Sequence, residues 1–64
     1  MKNNRYSTYV NGDLQAHVVK HPKKGWGCEF YNNLELVKTE FYSSHSESYA
    51  EDAAENYVEG IKII

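Results

Sequence analysis

The hydrophobic period of this chain changes once, near residue 43, and that switch bounds the fold more tightly than any other feature. Up to Tyr42, apolar residues alternate with polar ones at period two, the pattern of strands with one face on a core. Beyond Ser46 they recur at spacings of one and three, the stripe of an amphipathic helix. Strands first and a single helix last predict an α+β domain with the helix packed on one sheet face.

Turn residues divide the strand region. Asn11-Gly12 suits the two positive-φ positions of a type I′ hairpin turn. Before it Tyr6, Thr8 and Val10 alternate with Arg5, Ser7 and Tyr9, and after it Leu14, Ala16 and Val18 alternate with Gln15, His17 and Val19. Pro22-Lys23-Lys24-Gly25 has proline early and glycine late, as a type I turn prefers. The strand that follows puts Trp26, Cys28 and Phe30 on one face and Gly27, Glu29 and Tyr31 on the other. Asn32-Asn33 marks a third turn. The last strand is rich in β-formers, Val37, Thr39, Phe41 and Tyr42. Its apolar residues fall on both parities, Leu34 and Leu36 against Val37 and Phe41, which predicts a bulge or two-sided burial. The expected strands are therefore about 5–10, 14–21, 26–31 and 35–42, an antiparallel sheet of three to four strands in a βββα or ββββα order.

The helix is expected over about 47–59. Ser44 with Glu47 and Ser48 with Glu51 both have capping-box spacing, and Gly60 is placed for a left-handed C-terminal cap. Tyr49, Ala50, Ala53, Ala54, Tyr57, Val58 and Ile61 form the apolar stripe, opposite Glu47, Glu51, Asp52, Glu55, Asn56 and Glu59. The alanines let the helix lie close to the sheet, on the face carrying Val18, Trp26, Cys28 and Phe30. Ile61, Ile63 and Ile64 then either fold over the open end of the core or meet another copy.

A 64-residue chain buries only about 60% of the surface its unfolded form exposes, so it is expected to be one domain with a thin core. Small domains compensate with disulfides, a structural metal or self-association. With Cys28 as the one cysteine, no disulfide can form within the chain. His17 and His21 are four apart on a strand, roughly 13 Å along it, too far to share one ion. One cysteine and three histidines also fall short of the usual zinc set. Self-association is the remedy left. Cys28 shares its parity with Trp26 and Phe30 and reads as a core residue, and the helix carboxylates face solvent rather than a cleft. No set of groups converges for catalysis, and nothing calls for a cofactor.

The net charge of −2 hides an asymmetry: residues 1–24 sum to +4 and residues 25–64 to −6. Such a split suits a charged partner or complementary self-association. No apolar run approaches the ~20 residues of a membrane helix. Met1-Lys2-Asn3-Asn4-Arg5 leads into no apolar stretch, so no secretory signal is expected, and with one unpaired cysteine the expected compartment is the cytoplasm.

The segment Ser46 to Ile61, SESYAEDAAENYVEGI, following Phe41-Tyr42, resembles the C-terminal end of short proteins from tailed bacteriophages, especially those of marine cyanobacteria. It covers about a quarter of the chain. The resemblance implies a phage accessory protein working in the host cytoplasm and carries over no activity.

The leading expectation is a non-enzymatic, self-associating module that binds a host or phage protein, with a possible homodimer. Its interface is read as Tyr9, His17, Val19 and Tyr31 on the outer sheet face together with Ile61, Ile63 and Ile64. The alternatives are a nucleic-acid binder using Lys20, Lys23, Lys24 and Trp26, and a protein that sequesters a nucleotide-like small molecule.

Overall fold

A computed structural model of the chain describes residues 4–64, so the leader positions Met1, Lys2 and Asn3 lie outside the described residues. Four strands, β1 (Asn4–Asn11), β2 (Leu14–His21), β3 (Gly25–Asn32) and β4 (Glu35–Phe41), precede one helix, α1 (Glu47–Val58). The strands form a single antiparallel meander in the order β1-β2-β3-β4. The helix lies on one face, against β1, β2 and β3. This is the ββββα version of the expected α+β fold.

The period-two pattern sets the inner face. Ala16, Val18, Cys28 and Phe30 from the sheet meet Ala50, Ala54, Tyr57 and Val58 from the helix, with Tyr9, Leu14, Trp26, Tyr42 and Ala53 half-buried around them. Ala50 and Ala54 are fully buried, as close helix–sheet packing requires. Polar groups tie the layers: the Cys28 thiol donates to the Ala50 carbonyl at 3.0 Å, the Tyr57 hydroxyl to the Tyr31 carbonyl at 3.0 Å, and the Asn11 amide to the Val58 carbonyl at 2.9 Å. Burial pushes the Cys28 thiol up to about 11, so it packs as a neutral, weakly polar group.

The helix ends depart from expectation at one terminus only. Its N-cap is Ser46, with no side-chain capping bond. Ser44 has φ 69° and lies in the preceding turn, so neither predicted capping box forms. At the other end Gly60 has φ 80°, its N–H bonds to Tyr57 and the Ile61 N–H to Asn56, the paired bonds of a Schellman cap.

Two hairpin loops sit one residue later than predicted. The first consists of Gly12 and Asp13, between paired Asn11 and Leu14, and only Gly12 has positive φ. That is the sign pattern of a type II′ turn rather than I′. The third consists of Asn33 and Leu34, both with positive φ, the type I′ pattern.

Both edge strands are bulged. In β1 the register shifts at Tyr6, between Arg5 opposite Val19 and Ser7 opposite Val18. In β4 it shifts between Lys38 opposite Phe30 and Leu36 opposite Tyr31, so Val37 is the extra residue that explains the mixed parity. Tyr9 pairs with Ala16 and so lies on the helix side, not on the outer face where it was expected.

Because Ala54 meets the sheet with no gap, Ala54→Leu is expected to destabilise the fold by about 1–3 kcal/mol. Urea denaturation of the two proteins measures this, and an unchanged midpoint would contradict the close packing.

Candidate interaction surfaces

Among the described residues the outer sheet face carries no second layer, and its residues solve that exposure locally. At its centre the Arg5 guanidinium pairs with Glu29 at 3.0 Å and donates to the Tyr31 hydroxyl at 3.0 Å. His17 Nδ1 lies 2.9 Å from the Thr8 hydroxyl, and its ring meets Tyr31 edge-on. Towards the β2–β3 hairpin, Val19, Gly27 and Phe41 lie in one cross-strand row. A Cβ at Gly27 would collide with the Glu40 carbonyl and the Phe41 ring, so glycine is what lets that ring lie over the middle of the row.

The consequence is a correction to the predicted interface. Val19 is fully buried and His17 is 7% exposed, so neither offers a docking surface. Tyr31 is on the outer face as expected, but it is half-buried and its hydroxyl is held by Arg5. Tyr6 and Val37 are exposed at the two edge bulges, and a group of exposed apolar residues lies at the opposite corner. Val10 and Leu36 end the row Val10, Gln15, Tyr31, Leu36. Leu34, in the hairpin loop beside them, is 87% exposed. Val10 and Leu34 line one shallow hollow of about 410 Å³, and the Asn33 N–H bonds to the Asp13 carbonyl, tying the two loops at that corner. An apolar side chain in a two-residue loop was visible in the sequence as an anomaly. The loop assignment one residue early hid it.

The C-terminal isoleucines stay outside. Ile61 and Ile63 are exposed and Ile64 is 36% exposed. Lys62, not an isoleucine, folds over the core: its ammonium lies 3.2 Å from Glu40 and 5.8 Å from the Phe30 ring centre.

Lys20, Lys23, Lys24 and Trp26 do come together at the β2–β3 end. There Lys20 lies over Trp26 at 4.9 Å, Lys24 over Phe41 at 5.3 Å, and Tyr6 meets Trp26 edge-on. The aromatic face that would stack on a base is thus already capped by a lysine of the same chain. His21 Nδ1 accepts the backbone N–H groups of Lys23 and Lys24, which shapes the turn and occupies that nitrogen. With His17 Nδ1 on Thr8, the two histidines serve the hairpins. Among the described residues no group of three or more His, Cys, Asp or Glu side chains is placed to hold a metal ion, and no helix is long and apolar enough to cross a membrane.

Matching against protein-family models, curated proteins and solved structures finds nothing similar to this chain.

Burial first, and then the Arg5 charge, lower the His17 pKa against a smaller opposing effect of Glu29. An unfolded chain takes up this proton below about pH 6.5, while the folded chain resists it until lower pH. The contribution to stability is complete above that pH, falls as pH drops towards the folded pKa, and levels off below it. His17→Gln should therefore flatten the loss of stability as pH drops below about 6.5. Denaturation midpoints across that range test this, and an equal slope in both proteins would contradict it.

Proposed function

We propose that this chain is a small non-enzymatic protein-interaction module that self-associates through the corner formed by Val10, Leu34 and Leu36. The observation that carries the reading is Leu34, which bears two local costs at once. Its φ of 70° is a left-handed conformation that disfavours a residue with a Cβ by roughly 1–2 kcal/mol. The residue is 87% exposed, so little among the described residues offsets the cost of apolar hydration. A type I′ loop following Asn33 would be better served by glycine. Strain of this kind concentrates at binding sites, and burial of a leucine in a partner returns about 1.5–3 kcal/mol.

Association by strand addition is disfavoured, because both edges are bulged at the point where a new strand would pair. A face contact centred on the loop corner avoids those edges. The resemblance of Ser46–Ile61 to tailed-phage proteins supports a phage accessory role in a host cytoplasm, with a host or phage protein as the further partner.

Leu34→Gly separates function from fold. The variant should be more stable by about 1 kcal/mol in urea denaturation and yet associate less strongly in light scattering. A variant that associates like the parent, or a parent that stays monomeric at high concentration, would overturn the reading.

A further inference from the structure

The helix does not cover β4. On that side of the helix, just past the end of β4, lies a groove of about 330 Å³, near the lower limit of sites that hold a specific ligand group. One wall is a helix stripe, Tyr49, Asp52, Ala53 and Asn56, spaced three, four and seven from its first member. The other wall is Tyr42, whose ring meets Tyr49 edge-on at 5.0 Å. Ile61 and Lys62 close the end.

The charges in and around this groove are not symmetric. Lys62, the cation of the lining, is neutralised by Glu40 at 3.2 Å. Burial alone would raise the Glu40 pKa, but hydrogen bonds from Tyr42, Lys62 and Lys38 outweigh it and hold the carboxyl below its usual value. Glu40 therefore stays charged and keeps Lys62 engaged. Asp52 and Asn56, one turn apart, make no hydrogen bond or ion pair through their side chains within the described residues. The helix around them carries Glu47, Glu51, Glu55 and, at its C-cap, Glu59, with no basic residue.

We propose that this groove seats the guanidinium of an arginine presented by a basic segment of a partner protein. The inference rests on the interaction-module reading and supplies the chemistry of its second surface. One face of Tyr49 is already stacked on His45 at 3.9 Å, so the planar cation takes the Tyr42 side of the groove, where its fork matches the Asp52 carboxylate and the Asn56 amide oxygen accepts a further N–H. Ala53 and Ile61 receive the aliphatic stem, as apolar surface does for long basic side chains. Arginine fits better than lysine, because its flat, weakly hydrated head suits both ring and carboxylate.

The test is an NMR titration of the full chain with N-acetyl-arginine amide, with N-acetyl-glutamine amide as the neutral control and AMP as an anionic planar probe. The arginine probe should give saturable shifts confined to residues 42, 49–56 and 61–62, weakened by salt. Asp52→Asn should loosen it about threefold, and the glutamine probe should leave the groove unmoved. Shifts spread evenly along Glu55 and Glu59 and unchanged by Asp52→Asn would overturn the assignment, as would AMP occupying the groove instead. Light scattering of the same samples reports on the Leu34 corner separately, so loss of the arginine site would leave the self-association reading standing or falling on its own result.

Discussion

The contact of Ala50 and Ala54 with Cys28 and Phe30 decides most of what this molecule looks like. Small side chains bring the helix close to the sheet, and the Cys28 thiol reaches a helix carbonyl. Four strands spaced about 4.8 Å apart span roughly 14 Å between the outermost axes, wider than the ~10 Å of one helix. A helix this close therefore covers three strands and leaves the fourth. The chain fills the gap with a polar lattice, Lys38, Glu40, Tyr42 and Lys62, and the groove beside it is what remains. Burial, then the bond to Glu40, raise the Tyr42 phenol, which keeps it protonated as the donor in that lattice.

The same constraint shapes the other side. With one helix available, the outer face goes without a layer and must satisfy itself. It does so with an ion pair, a histidine bonded to a threonine, and an aromatic ring laid over a glycine. These devices bury Val19 and His17 within one copy. They stop short of the corner at Val10, Leu34 and Leu36, where apolar surface is left over. The bulges at Tyr6 and Val37 blunt both sheet edges against strand addition.

Much of the architecture was legible in the residues. The change of period placed every strand and the helix within one residue of its observed bounds, and the shared parity of Trp26, Cys28 and Phe30 identified the inner face. What failed has one physical origin, because side-chain direction alternates residue by residue. The bulge at Tyr6 placed Arg5 opposite Val19, and the unbroken register running back from the Gly12-Asp13 turn placed Tyr9 opposite Ala16, neither of which the periodicity of β1 alone discloses. Loop positions were misjudged by one because Asn-Gly satisfies type I′ geometry in isolation, while the strand register selected Gly12-Asp13. The burial of His17 and Val19 depends on Arg5, Thr8, Glu29 and Phe41 arriving from three other strands, a convergence that local pattern does not contain. The groove was hidden for the same reason, since Tyr42 and Tyr49 meet only once the helix has docked.

Cys28 offers the most direct check, being the one thiol and lying beneath the helix. Its reaction with a disulfide reagent can be timed in increasing urea. If the alanine face covers it, labelling proceeds only through unfolding, and the protection matches the free energy from denaturation. Labelling in buffer at the rate of an exposed thiol would mean that the helix does not rest on that side of the sheet.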